Sequence, residues 1–516
     1  MTRINWIRDG CAFEQGALEL GSVRCIIQRP SLGADRYVNA IVDVELNRVD
    51  RTWGILDAFK IVQQFPARAM PKEFEHLPVL HKGYCDTHLH AVWMASQQNK
   101  LSLRGLTSVD AVHHAIAKFA AESPTEYVQA FDWDQEVYGV SSEDFAQGLE
   151  RFCRERQIEC VAFRVCAHMA VVTEGLRLRW SLAAGTALLR DAQLDPVHEK
   201  LFRWSPEEAA RLFESAQAAF LERGITGISE MSVNDGQLQG ILDLAKRGRL
   251  KIDVQVVLDH EVRATTLRAG PFVEFNASDV GPLGTPAQVQ VRHVKRFLDG
   301  SLGARTAWLR APYDDDEVFG DSLFKDEELF QWAERSLRDG WLLAFHAIGD
   351  GALDQIYRLS LHCRDLLKNA LRPEYSPFFK HSALHRIEHA QVMGDDLLRA
   401  LTTQGYWSFL VQPYHRVADQ GFAMKRLGPT RFYNEGYRLR SLTTIADLRV
   451  GLGSDAPIAS WEPSEIIAAA ATHPNPLERL GRLDALWHYT TGARLALGLE
   501  PGKIGVGSTV VISEHA

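Results

Sequence analysis

The chain has 516 residues, 46% of them hydrophobic and 24% charged, with a formal net charge of −9. That length and apolar content suit a packed globular protein of several domains, or one large barrel with additions. The acidic balance, with Lys and Arg never clustering beyond a pair, argues against nucleic acid and anionic membrane as partners, and no stretch reaches the ~18 apolar residues of a membrane helix.

The opening segment, "MTRINWIRDGCAFEQGALEL", has no unbroken apolar core, so no signal peptide is expected. The seven cysteines form no Cys-x-x-Cys pair and read as reduced thiols of a cytoplasmic protein. "GSVRCIIQ" and "VNAIVDVEL" read as strands, and "FPARAMPKEFEHLP" as a connection. From residue 82 onward, apolar runs rich in β-branched and aromatic residues alternate with helical patterns, the mark of βα units around a parallel sheet. Ten runs qualify as strands: "GYCDTHLH", "YVQAFDWD", "CVAFRVCAH", "GITGISEMSV", "KIDVQVVLD", "VRHVKRFLD", "WLLAFHAIG", "RIEHAQV", "GYWSFLVQP" and "LRVGLGSDAP". Helical segments set the second and third apart from the rest. Placing those two in an insertion leaves eight strands. The expectation is an α/β fold, a (β/α)8 TIM barrel over 82–95 and 206–475. A large insertion, 96–205, would follow the first strand and lie over the mouth. A small β-sandwich-like domain would come from the chain ends, 1–81 and 476–516.

Within "KGYCDTHLHAVW", residues Asp86, His88 and His90 lie two apart. A strand places such residues on one face, so all three are expected to point into the barrel near its C-terminal rim, where active sites of this fold are built. Inward polar groups are costly unless something pairs with them, and a divalent ion would. Lys295, His346, His389 and Asp455 each end an apolar run just before a turn, which puts metal-type side chains of five strands on the same rim.

Each residue also has a structural reading. His346 could be a core histidine, Lys295 could pair with Asp299, and Asp455 could cap the turn in "GSDAP". Glu388 is expected to face away from His389 and to be structural, and Arg296 to face the outer helices. The convergence on one rim favours the metal reading.

The words "VKRFLDGSLGARTAWLRAPY", "FHAIGDGALD", "RIEHAQV", "VQPYHRVAD" and "GLGSDAP" resemble the amidohydrolase superfamily, in its family 3 branch of N-substituted formamide deformylase-like and exoenzyme-like proteins. The resemblance runs from about residue 82 to 495, and "FDWDQ" in the insertion is similar to the family's Gly-Trp-Asp-Gln word. It implies that His88 and His90 hold one metal with Asp455, and that His346 and His389 hold a second. Lys295 would bridge the two as a carbamate formed with carbon dioxide. One or two zinc ions are implied, with other divalent metals open. Asp455 would be the catalytic base and then acid. Trp133, Asp134, Gln135, His168, Arg305 and His415 are candidates for lining a small-molecule pocket, Arg305 having a loop salt bridge as its alternative. Cys85 replaces the family's aliphatic residue, and its thiol is expected close to the metals.

The expected activity is hydrolysis of a non-peptide C–N bond, in an amide or N-substituted formamide. The rivals are a deaminase or cyclic-amide hydrolase on the same scaffold, and a non-catalytic binding protein that retains the barrel. Oligomeric state is left open, a homo-oligomer included.

Overall fold

The computed structural model describes residues 83–259, 270–275, 277, 286–371 and 384–499, apart from 124, 183 and 184, together with the backbone of the strands before residue 82 and of Thr509–Ser513. Eight parallel strands form the central sheet: β1 (Tyr84–Leu89), β2 (Ile225–Val233), β3 (Asp253–Asp259), β4 (Gln288–Phe297), β5 (Leu342–Ala347), β6 (His385–His389), β7 (Trp407–Val411) and β8 (Arg449–Leu452). Each pairs in parallel with its sequence neighbour, from β1–β2 to β7–β8. These are the eight strands expected from the sequence, and the fold is a nearly closed (β/α)8 barrel. A further strand, Phe272–Phe275, pairs antiparallel with β4 and was not foreseen.

Closure between β8 and β1 relies on polar groups. The Asp455 N–H donates to the His88 carbonyl (2.7 Å) and the His90 N–H to the Ala456 carbonyl (2.8 Å). Asp86 accepts from the backbone N–H of Ser454 (3.0 Å) and from the Tyr489 hydroxyl (2.9 Å). A Cβ on Gly453 would come 2.7 Å from the His88 nitrogen, so the seam needs a glycine there. Asp86 is therefore a seam residue and does not join the rim cluster expected of it.

Outward residues such as Val254, Val256 and Leu258 pack against Leu238, Ile241 and Leu242 of the helix Asp235–Lys246 in one continuous core. Each such side chain contributes ~1.5–3 kcal/mol by leaving water. That helix starts where Asn234 and Gln237 exchange side-chain-to-backbone hydrogen bonds, 3.0 and 3.1 Å long, which satisfies donors a helix start otherwise leaves open. Cys85 lies on the outer side of β1 with Leu410, Ala493 and Leu497, away from the rim, and burial pushes its thiol up to about 12.

The segment between β1 and β2 builds a five-stranded sheet of its own: Leu101–Ser102, Val128–Trp133, Cys160–Arg164, Met169–Val172 and Leu188–Arg190. Only the second and third were expected. The others have two to four residues, too few for a periodic signal. The expected run through residue 168 breaks after Arg164, where Ala167 takes a left-handed φ of 58° and the chain turns back. A third sheet joins strands from both chain ends, with Thr509–Ser513 pairing with Val79–His81 and with Thr52–Gly54. The expected strands near 21–28 and 38–46 are Ser22–Pro30 and Tyr37–Glu45, while the connection "FPARAMPKEFEHLP" lies outside the described residues.

Candidate active site

The C-terminal ends of β1, β4, β5 and β6, with the turns after β7 and β8, bring His88, His90, Lys295, His346, His389, His415 and Asp455 together. Oδ1 of Asp455 lies 3.4 Å from Nε2 of both His88 and His90, and its Oδ2 lies 3.3 Å from Nε2 of His415. Among the described residues, His88, His90 and Asp455 can offer ligand atoms within 4.8 Å of one another, and so can His389, His415 and Asp455. His346 stands beside the second group, its ring centroid 4.5 Å from that of His389, but outside it. His415 lies in that group although no metal role was expected of it. Lys295 is buried at 2% exposure, with Nζ 4.4 Å from the centroid of Phe297.

Backbone geometry helps gather these groups. His389 and Asp455 have φ values of 74° and 60°, in the left-handed region. Such positions cost on the order of 1–3 kcal/mol each and persist where the surroundings over-determine them. At His389 this break in strand geometry lets two consecutive side chains serve the site, since Glu388 also faces inward. Glu388 Oε2 lies 2.7 Å from His88 Nδ1, and its Oε1 accepts from Arg386 Nε at 2.6 Å. Arg386 plugs the barrel interior, donating to Ser229 Oγ (2.7 Å), the Thr87 carbonyl (2.8 Å) and Gln255. The expectation that Glu388 faces away from the site is corrected: alternation along β6 puts residues 386 and 388 inside, and the sequence carried no sign of the turned backbone at 389.

The hydrogen bonds assign the imidazole nitrogens. Nδ1 of His88 meets the Glu388 carboxylate, Nδ1 of His389 meets Oε1 of Gln412 (2.7 Å), and Nε2 of His346 meets the Gly300 carbonyl (3.1 Å). Each of these nitrogens must donate, which leaves the other nitrogen of each ring with a lone pair. Nε2 of His88 is buried and without a hydrogen-bond partner. An acceptor nitrogen fixed from behind and unpartnered in front is the arrangement of a metal-ligating histidine. His415 is opposite: Nδ1 accepts from Gln391 Nε2 (2.8 Å), so its hydrogen sits on Nε2, facing Asp455.

Burial, with the Lys295 ammonium adding to it, pushes His88 down to about 4. Burial likewise holds His346 and His389 well below the ordinary histidine value, and brings Lys295 down to about 8. Burial alone would raise Asp455, but the neighbouring His88, His415 and His90 outweigh it and hold this carboxyl well below the usual range. The site therefore presents His88, His346 and His389 as neutral imidazoles, with an ionised Asp455 and a lysine whose charged form burial disfavours. This donor set fits a divalent ion.

The remaining candidates divide. His168 reaches the rim from the insertion, its ring 5.3 Å from His346, with Nδ1 2.8 Å from Asp191. It precedes the strand Met169–Val172 and does not end one. Arg305 donates to Asp315 (2.9 Å), the salt-bridge alternative noted above. Trp133 is fully buried in the insertion core, donating to the Ala162 carbonyl (2.8 Å) and stacking on Phe145. Asp134 caps the short helix Gln135–Tyr138 and pairs with Arg164 at 3.1 Å, and Gln135 accepts from the same arginine at 2.8 Å. Within the word "FDWDQ", Trp133, Asp134 and Gln135 are thus engaged by partners inside the insertion, while Phe131 and Asp132 line a cavity. Asp299 accepts backbone N–H groups of Ile348, Gly349 and Trp308 and makes no salt bridge to Lys295. Arg296 faces outward over Phe324 and Trp332 as expected.

A cavity of about 430 Å3 opens beside the turn after β8, lined by Met94, Lys100, Phe131, Tyr414, Pro457 and Trp461. Arg104 of the insertion spans its edge, pairing with Asp132 (2.9 Å) and donating to the Pro457 carbonyl (3.2 Å). No helix among the described residues is long and apolar enough to cross a membrane.

The chain is 24% identical over 431 residues to YtcJ of Bacillus subtilis (strain 168), an amidohydrolase by name, covering 78% of this chain and 75% of that one. It is 25% identical over 468 residues to the protein LONG AFTER FAR-RED 3 of Arabidopsis thaliana, covering 82% and 76%. The crystal structure of an uncharacterized metal-dependent hydrolase from Pyrococcus horikoshii shares the fold with a TM-score of 0.65 at 22% identity, over 89% of this chain and 90% of that one. One from Pyrococcus furiosus does so at 0.64 and 26%, over 86% and 88%. The model of the amidohydrolase family matches residues 83–509, which include every rim residue described above, and the chain belongs to that family, in its family 3 branch.

Proposed function

We propose that the protein is a metal-dependent hydrolase of a non-peptide C–N bond, in an amide or N-substituted formamide of a small molecule. The observation that carries this reading is the set of histidines with one nitrogen tied back and the other free to ligate, gathered around Asp455. The family membership and the metal-dependent hydrolases of the same fold support it.

His88, His90 and Asp455 would hold one ion, with His389 and His346 on the side of a second. Lys295, as a carbamate, would stand between them, its neutral amine favoured by burial. A bound zinc or similar divalent ion supplies Lewis acidity and brings a water's pKa from near 16 towards ~7. Asp455 takes the proton of the attacking water as that oxygen bonds to the carbonyl carbon, and delivers it to the nitrogen as the C–N bond breaks. Nε2 of His415 stands 3.3 Å from Asp455 beside its charge, and Glu388 holds Nδ1 of His88 so that Nε2 faces the ion site. His168 gives its Nδ1 to Asp191, which leaves the other nitrogen of the neutral ring able to accept from the substrate. The 430 Å3 cavity beside the turn after β8, although none of the rim residues lines it, has room for a small-molecule acyl or amine portion.

The test is elemental analysis of the purified protein before and after chelator dialysis, with turnover followed on a panel of amides and N-substituted formamides. One to two equivalents of metal, lost together with turnover, is the expected result. Activity confined to cyclic amides or to amino-substituted rings would replace the reading with the cyclic-amide hydrolase or deaminase. Failure to take up metal, even with bicarbonate present, would overturn it.

A further inference from the structure

The metal-type histidines are held in two ways. Glu388, Gln412 and the Gly300 carbonyl engage a ring nitrogen of His88, His389 and His346 respectively. Among the described residues the ring of His90 has no such partner: it meets Asp455 and stands edge-on to Trp93, their centroids 5.6 Å apart. Its backbone is held instead. The His90 N–H donates to the Ala456 carbonyl and the His90 carbonyl accepts from the Met94 N–H, both at 2.8 Å. His90 is also the residue that precedes the helix Ala91–Ser96. The first N–H groups of a helix have no partner within it, and a Ser, Thr, Asp or Asn at that preceding position ordinarily meets one of them. The His90 side chain makes no such bond, being turned to the rim.

Glu230, on the neighbouring strand β2, supplies the missing cap. One carboxyl oxygen accepts from the Ala91 N–H at 2.6 Å and the other from the Val92 N–H at 3.2 Å. Glu230 is fully buried, and among the described residues no cation pairs with it. Burial pushes its carboxyl up to about 8, against the pull of the two N–H groups. A buried carboxyl is a costly way to cap a helix that a serine at position 90 would cap locally. It leaves position 90 to a histidine that faces the rim. We infer, on the metal-dependent reading above, that Glu230 is a positioning residue for His90. By holding the N–H groups of the next two residues it fixes the backbone at 90, and with it the direction of the ring towards Asp455.

The test compares full-length Glu230→Gln with the unaltered protein and with Ser141→Ala, which removes an ordinary cap from the insertion helix Ser142–Glu155. In Glu230→Gln an amide nitrogen replaces one accepting oxygen, so one of the two N–H groups loses its acceptor. Metal affinity is measured against a competing chelator, the visible spectrum with cobalt as the bound ion, and thermal unfolding on the metal-free form. Glu230→Gln should weaken the binding of one ion ~10–100-fold, as when a group that orients a ligand is lost, and should alter the cobalt spectrum. Ser141→Ala should lower Tm alone. Affinity and spectrum unchanged in Glu230→Gln, with Tm lowered as in Ser141→Ala, would make Glu230 a structural cap and overturn the inference while the metal reading stands. Unaltered protein that takes up no metal would overturn that reading, and the inference with it. Should Glu230→Gln fail to fold, Glu230→Ser, with room for a water on the two N–H groups, carries the same comparison and the same outcomes.

Discussion

The barrel mouth and the inserted sheet both bury polar side chains, but they complete them differently. In the insertion, Arg164 is satisfied by Asp134 and Gln135, and Trp133 by the Ala162 carbonyl, so the local polar groups use one another up. At the mouth, Glu388, Gln412 and the Gly300 carbonyl each engage only one nitrogen of a histidine and leave the other facing the same few ångströms of space. The first pattern is what folding requires of a buried polar group. The second holds an unmet demand in place, which is worth its cost only if something else arrives to meet it. Both regions carry the family's words, so the words alone do not separate the two; the completeness of the hydrogen bonding does.

The sharpest way to break this contrast is Asp455→Asn. The variant should keep its fold and its unfolding temperature within a few degrees, yet lose at least ~10²–10⁴-fold in kcat/KM on the amide panel. Retained turnover would remove Asp455 from its role. Lys295→Ala should come next, with loss of metal and activity together. Partial recovery with added formate or propionate, whose carboxylate can take the place of a carbamate, would support the carbamate; full activity without additive would exclude it.

Glu388→Gln probes the layer behind the ligands. Metal affinity should fall ~10–100-fold, measured against a competing chelator, because Nδ1 of His88 loses its anionic partner. An unchanged affinity would make Glu388 only a partner for Arg386. On the insertion side, Trp133→Phe should leave KM and kcat within about twofold. It should destabilise the protein by ~1–3 kcal/mol in denaturant titration, since the Ala162 carbonyl loses its donor. A raised KM without loss of stability would return Trp133 to the pocket.

The smallest effect is on pH. Burial pushes His88, His198, His385 and His473 down to about 4. An unfolded histidine titrates near 6.5. The unfolded chain therefore binds more protons between these values, and the stability these groups contribute is complete above ~6.5 and is lost as pH falls towards about 4. Denaturation midpoints of the metal-free protein should fall steadily from pH 7 to pH 4.5, with a slope corresponding to more than one proton. A flat profile would mean that these imidazoles do not need to be neutral in the fold.

Apolar period and punctuation were enough to read all eight barrel strands from the chain, because a strand buried on both faces must be a continuous apolar run ended by a turn. The rim residues were legible for the same reason, each being the polar residue that ends such a run. The short insertion strands, the inward turn of Glu388 and the seam role of Asp86 were not. Strands of two to four residues carry no period. The direction of a side chain at a strand end depends on a backbone φ, and at residues 389 and 455 that φ is left-handed against the ordinary preference of histidine and aspartate. The local sequence thus determined which residues arrive at the barrel mouth. Which nitrogen each histidine presents there, whether His346 or His415 stands nearest Asp455, and which polar groups are completed by neighbours were decided by tertiary structure, because those partners lie 23 to 300 residues away along the chain.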